Sequence, residues 1–242
     1  MAAGTGKTQA TRDMDNDKQT PQLLIQEDTT TGTAMILTMG VIGLACAILI
    51  VLAYRSTYAT IEENKARFLE KAIFDVLPNT TGKVTYTAEH GTIRQLQTGE
   101  RAEMEYYAGY NDRQQLTGIA IPAAGPGFQD IVRILYGYAP ECRCIVGMKV
   151  LESRETPGLG TKIETDPVFL KNFEALDVRL TADKNAIVNP IVLVKPRQKA
   201  NPWEIDAISG ATISSQAIAD ILQASTADAV PLIEKNLDTL TR

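Results

Sequence analysis

The sequence predicts an α+β protein in which a single N-terminal transmembrane helix leads into one folded domain. Three observations carry this reading. Ala34 to Tyr54 (AMILTMGVIGLACAILIVLAY) runs 21 residues without a charge. From Gly82 to Pro140 the chain alternates short strand-like runs with Gly and Pro punctuation. Two late stretches, Thr212 to Gln223 and Ala229 to Leu240, have apolar residues at helical spacing.

Residues 1–33 are rich in Thr, Asp, Gln and Lys and hold too few apolar side chains to fold by themselves. Asp13, Asp15 and Asp17 lack the Gly and closing Glu of a calcium loop, so they read as part of a solvated tail. Residues 34–54 follow. At ~1.5 Å of rise per residue they cross the hydrocarbon layer of a lipid bilayer. A buried core helix of this length would show a polar stripe, and a signal peptide would start nearer the terminus behind a basic region. Here only Lys7, Arg12 and Lys18 precede the run as cations. Gly40 and Gly43 either admit a neighbouring helix or are simply small residues in a membrane helix. Counting Lys and Arg near the span, Lys18 before it and Arg55, Lys65, Arg67 and Lys71 after it, weakly favours a cytoplasmic C-terminal side. That rule loses force when a large domain follows.

Residues 55–77 place Ile61, Phe68, Leu69, Ala72, Ile73 and Val76 at the spacing of an amphipathic helix ending at Pro78. Residues 78–242 then form one domain, with strands expected at Thr117–Pro122, Ile131–Tyr136, Arg143–Glu152 and Ile187–Val194, and a helix at Pro167–Leu176.

Composition narrows the chemistry. With 24 basic and 29 acidic residues the formal charge is −5, and no basic stripe carries interleaved aromatics, so no nucleic-acid partner is expected. There is one histidine, His90, in a polar turn, and the three cysteines lack zinc-site spacing. Whatever chemistry occurs must come from carboxylates, hydroxyls, backbone amides or a borrowed cofactor.

The informative stretch is Trp203-Glu-Ile-Asp206-Ala-Ile-Ser209-Gly210-Ala211-Thr212-Ile-Ser214-Ser215. It is a polar, Gly-containing turn running straight into an apolar-periodic helix. The first turn of a helix presents unpaired N–H groups and the positive end of the dipole, which favour a phosphate. Gly210 lets an incoming group approach the backbone, and Ser209, Thr212, Ser214 and Ser215 supply four hydroxyls within seven residues. The competing reading is ordinary helix capping by the same residues.

Asp206-Ala-Ile-Ser209-Gly210-Ala211-Thr212 resembles the D-x-x-[S/T]-G-A-T flavinylation signature of FMN-binding domains. These occur in the G subunit of the Rnf complex and the C subunit of the sodium-pumping NADH:quinone reductase. The resemblance implies that a flavin transferase attaches FMN to Thr212 through a phosphodiester and reads Asp206. Glu155-Thr156-Pro157-Gly158-Leu159-Gly160 is similar to the family's E-T-P-G-L-G loop, which implies that Glu155, Thr156, Gly158, Leu159 and Gly160 lie against the flavin. Two glycines and a proline fix an unusual backbone path there, and Leu159 offers a ring an apolar contact. Ser153 stands where members often carry a histidine.

A resemblance of this kind implies an electron relay in a membrane ion-translocating ferredoxin:NAD oxidoreductase, with the other membrane subunits of an Rnf-type complex as partners. It also places the domain on the outer face of a bacterial inner membrane, against the cation count. The quinone-reductase C subunit is the near alternative, and about 188 residues after the span (55–242) favour the Rnf type. An alternative of another class is a membrane-tethered flavin-binding scaffold.

Other residues carry blander expectations. Cys142 and Cys144 fall on one strand face with Val146, Met148 and Val150, which reads as buried core thiols, and i, i+2 positions on a strand disfavour a mutual disulfide. Cys46 fills space in the span. Tyr106, Tyr107, Tyr110, Tyr136 and Tyr138 read as half-buried strand residues, and Trp203 as packing.

Overall fold

A computed structural model describes residues 32–241 apart from 90, 98 and 101. The expectations for the tail and for His90 lie outside the described residues. The chain divides into two units, residues 1–57 and 58–242.

One helix, α1 (Gly32–Val76), contains both the uncharged run and the amphipathic segment. In the first unit it is apolar and long enough to cross a membrane. Ile36, Met39 and Ile50 are each more than two-thirds exposed. A contiguous apolar surface of this extent is unstable in water and is satisfied by lipid. The helix starts at Gly32, two residues before the uncharged run.

The second unit is built on a seven-stranded antiparallel sheet: β1 (Gly82–Glu89), β2 (Thr92–Gln95), β3 (Glu105–Tyr110), β4 (Leu116–Pro126), β5 (Ile131–Ala139), β6 (Cys144–Glu152) and β7 (Leu176–Asp177). Its spatial order is β2-β1-β3-β4-β5-β6-β7. Short helices α2 (Lys162–Thr165) and α3 (Pro167–Leu170) and a 3-10 turn (Lys171–Phe173) precede β7. Strands β8 (Val192–Val194) and β9 (Glu204–Asp206) pair in parallel, and α4 (Thr212–Lys235) and α5 (Leu237–Leu240) close the chain.

Period-2 alternation sends side chains to two apolar layers. On one face Ile134, Tyr136 and Tyr138 of β5 meet Ile218, Ile221 and Leu222 of α4. On the other, Leu135, Ala120 and Tyr107 meet Ala72, Ile73, Val76 and Leu77. The tyrosines are core residues and more deeply buried than half. Tyr136 shares a hydrogen bond with Ser225, the Tyr138 hydroxyl donates to the buried Glu234 carboxylate, and Tyr110 donates to the Leu240 carbonyl. Burial raises all three phenols above their ordinary pKa, so they remain neutral donors.

The end of α1 sits in a seat of glycines on four adjacent strands. Cβ atoms added at Gly109 or Gly118 would lie 2.8 Å from Leu77, and one at Gly147 would lie 2.9 Å from the Val76 backbone; Gly137 faces the Val76 carbonyl. Each position is closer than a side chain allows, so the absence of Cβ sets how near the helix lies.

Several expected elements shift. The helix expected over Pro167–Leu176 stops early in a 3-10 turn. The strand expected over Ile187–Val194 shrinks to β8, with an isolated bridge joining Leu180 and Ile187, because Pro190 lacks the N–H that a ladder needs. The two late helices are mostly one: Ala224-Ser-Thr-Ala-Asp228 continues the helix, which also accommodates Pro231.

The cysteine reading is corrected. Strand β6 begins at Cys144, so Cys142 lies in the β5–β6 turn, where Arg143 takes φ 53°. That turn brings the two Cα atoms to 5.2 Å and the sulfurs form a disulfide, within the ordinary reach of such a bond. Cys144 is buried as expected, whereas Cys142 is exposed.

Gly147→Ala is expected to push α1 off its seat. Overpacking of this kind costs about 1–3 kcal/mol, which in a domain of this size lowers Tm by several degrees. Differential scanning calorimetry of the detergent-solubilised protein checks this; an unchanged Tm contradicts the close-packed seat.

Candidate functional site

The two motif loops lie 50 residues apart in sequence and meet at the start of α4. Gly210 takes φ 82°, a conformation open to glycine at little cost, and a Cβ there would sit 3.9 Å from Leu159. Gly158 takes φ 75°, and its N–H donates to the Thr161 hydroxyl (3.0 Å). Gly160 lets its loop close on its neighbours: an added Cβ would lie 2.7 Å from Glu155 and 2.8 Å from the Ser214 hydroxyl.

Glu155 joins the parts. It is 3% exposed, its Oε1 accepts the Phe128 N–H (2.7 Å) and the Gln129 N–H (3.3 Å), and its Oε2 accepts the Ser214 hydroxyl (2.5 Å). One carboxylate thereby ties the β4–β5 turn and its own loop to the first turn of α4. The same loops are laced by Gln129 donating to Thr156 Oγ1 (3.1 Å) and by the Glu155 N–H donating to Ser153 Oγ (3.2 Å). Ser153 thus has a local structural use.

The hydroxyls of the motif do not cap the helix. The N-cap position is Ala211, with no side-chain cap. Ser215 is fully buried; its hydroxyl accepts the Ile208 N–H and donates to the Ala211 carbonyl. Ser214 is spent on Glu155. Both serines brace the turn from beneath, while Thr212 and Ser209 are exposed. The turn therefore presents an exposed threonine hydroxyl beside helix N–H groups that no side chain satisfies, which is what an anionic phosphate requires.

A shallow cavity of about 360 Å³ opens beside Thr212, lined by Phe128, Thr156, Leu159, Gly160, Ile213 and the backbone of 210–212. Phe128, Leu159 and Ile213 are 58%, 50% and 59% exposed. Three large apolar side chains bared around one hydroxyl form a surface suited to a flat heteroaromatic ring. Phe128 and Ile213 were missed in the sequence: Phe128 reaches the site only through the β4–β5 turn, and Ile213 counted as core periodicity. None of the five tyrosines lines this cavity.

Asp206 ends β9. Its Oδ1 accepts the N–H groups of Gln198 (2.8 Å) and Lys199 (2.9 Å), fixing the loop whose Pro196 and Arg197 line a second hollow of about 260 Å³ with Lys162, Ser209 and Asp206 itself. Burial lowers the Lys199 pKa, offset in part by Asp206 and Glu204. Asp206 thus shapes the approach to the motif.

The residues present fit a flavin mononucleotide: unsatisfied helix N–H groups and an exposed hydroxyl for the phosphate, glycines where a side chain would obstruct, and an apolar collar for the ring. Fold and site define a membrane-anchored protein with an FMN-binding domain, and the family model of that description matches residues 127–227.

The chain belongs to the family formed by the G subunits of ion-translocating oxidoreductase complexes. It is 31% identical to the G subunit of that complex from Methanosarcina acetivorans, over 80% of this chain and 92% of the relative. It is 27% identical, over 74% and 82%, to the G subunit of the Na(+)-translocating ferredoxin:NAD(+) oxidoreductase complex of Acetobacterium woodii. The solved structure of the C subunit of Na(+)-translocating NADH-quinone reductase from Parabacteroides distasonis shares the fold, with a TM-score of 0.55 and 17% identity over 73% of this chain and 96% of that one.

Glu155→Ala removes the acceptor of two backbone N–H groups and a buried hydroxyl. It is expected to cost about 2–3 kcal/mol, against about 1 kcal/mol for Ser214→Ala. Thermal unfolding of both variants checks the order, and equal losses would show that Glu155 does not hold the loops together.

Proposed function

We propose that this chain is the electron-relay subunit of an Rnf-type membrane complex and carries FMN esterified through its phosphate to Thr212. The observation that carries the reading is the exposed Thr212 hydroxyl on an uncapped helix start, walled by Phe128, Leu159 and Ile213. The coarser part rests on the family: a flavin-carrying subunit of a membrane oxidoreductase.

When bound, the flavin supplies reversible electron transfer. The chain's residues do the rest. The N–H groups at the start of α4 neutralise the phosphate diester, which keeps one negative charge after esterification. Glu155 holds Gly160 and the Leu159 wall against that turn. Phe128, Leu159 and Ile213 shield one side of the ring site while its open side admits partners. The carboxylate that borders the cavity, Glu155, is engaged with the Phe128 and Gln129 N–H groups and the Ser214 hydroxyl, which suits a relay between proteins.

Attachment requires a flavin transferase to reach Thr212, and its exposure on the surface supports that access. Asp206 contributes by fixing the 195–199 loop, and its second carboxylate oxygen is offered for recognition. The ferredoxin:NAD coupling is taken from relatives such as the Acetobacterium protein. We further assign the domain to the outer face of the membrane, as the family resemblance implies.

Co-expression with a flavin transferase is expected to give a band of flavin fluorescence that survives denaturing electrophoresis. Thr212→Val should lose that band while the protein remains folded. A fluorescent Thr212→Val band would refute attachment at this residue. Phe128→Ala should keep the band but raise quenching of the native flavin by iodide about 2-fold or more, as one wall of a water-excluding site is removed; unchanged quenching would take Phe128 out of the site.

A further inference from the structure

We infer that Cys142 and Cys144 form a second redox site on the domain, a disulfide that is reversibly reduced by a protein dithiol. It goes beyond the flavin reading and does not depend on it.

The pair is poorly suited to be a structural staple. A cross-link stabilises mainly by closing a loop in the unfolded chain, and the gain falls with loop length. Here the ring spans residues 142–144 only. The hairpin that contains it is already held by β5–β6 pairing, with Ala139 opposite Cys144 and Tyr138 opposite Ile145. Nothing distant in sequence is joined.

It is well suited to exchange. Exposed disulfides are the labile ones, because a thiolate must reach a sulfur to attack it. Cys142 is exposed in the turn while Cys144 is 7% exposed at the head of β6, so the two sulfurs are unequal targets. Beside Cys142 lies an open groove of about 750 Å³ lined by Pro78, Asn79, Asn111, Gln115, Thr117 and Glu141. A partner's active-site loop can approach the sulfur there without displacing any core residue.

The site is remote from the flavin. The β4–β5 turn abuts Thr212's cavity, whereas the β5–β6 turn is at the opposite end of β5, nine residues long. At ~3.3 Å per residue that separates them by roughly 30 Å, too far for the ring to touch the sulfurs. The reductant therefore comes from outside the domain. A thiolate of the partner dithiol attacks Cys142 Sγ, the Sγ–Sγ bond breaks, and Cys144 leaves as a thiolate that takes a proton. The partner's second thiol then attacks the mixed disulfide and frees Cys142. In sum the pair gains two electrons and two protons, and the partner dithiol becomes a disulfide.

The test uses the full-length protein in membranes, carrying Cys46→Ala so that only the pair is read. Reduction by dithiothreitol is followed by alkylation and intact mass, native against urea-denatured. We expect the native rate to lie within about 100-fold of the denatured rate, as access is open; a slower rate overturns the proposal. Incubation with a thioredoxin lacking its resolving cysteine should trap a mixed disulfide, mapped by peptide mass to Cys142. No adduct, or one on Cys144, overturns it. The Cys142→Ser/Cys144→Ser double variant should keep its Tm within about 2 °C and its flavin loading, whereas a larger loss would show a structural staple.

Discussion

A single buried carboxylate sets the geometry around Thr212. Glu155 accepts two backbone N–H groups from the β4–β5 turn and a hydroxyl from the first turn of α4, so three segments far apart in sequence share one acceptor. Charge-assisted hydrogen bonds are stronger than neutral ones, and leaving their donors unpaired is costly. Glycine at 160 permits the arrangement, since any side chain would collide with both Glu155 and Ser214. Phe128 is brought beside Thr212 by the same tie, because its own N–H is one of the donors.

Division of labour among the serines and the threonine follows from depth. Ser214 and Ser215 are buried and consumed by protein partners, which anchors the turn. Thr212, three residues or fewer away, projects outward. Because neither serine caps the helix, its N-terminal dipole remains directed at the space where a phosphate would lie. At the other side of the sheet, the row of glycines under Val76 and Leu77 couples the end of α1 to the strands that carry the β4–β5 turn. The end of α1 and the helix that opens at the Thr212 cavity are thus served by opposite faces of one sheet.

Much of this was legible in the sequence, for reasons that differ by element. The uncharged 21-residue run falls within one helix long and apolar enough to cross a membrane, and strand-like runs punctuated by Gly and Pro placed β4, β5 and β6 within a few residues. The turn Ser209–Thr212 was recognisable as a phosphate cradle or a cap; in the structure no side chain caps the helix, because Ser214 and Ser215 are committed elsewhere. What stayed hidden was long-range: the 59-residue reach from Glu155 to Ser214, the approach of Phe128, and the glycine seat. The disulfide escaped because strand periodicity reads on through Cys142, whereas Pro140 and the left-handed Arg143 end the ladder before it. Residues 224–228 looked like a break because Ser, Thr and Asp are weak helix formers, yet burial of Thr226 and Ala229 overrides that preference.

The account turns on one ester linkage, and peptide mapping addresses it most directly. Protein isolated with its native complex would be digested and the flavin-absorbing peptide sequenced by tandem mass spectrometry. The expected result is one flavin-bearing peptide whose added nucleotide resides on Thr212. Flavin released in full on denaturation, or carried by any other side chain, would contradict the account.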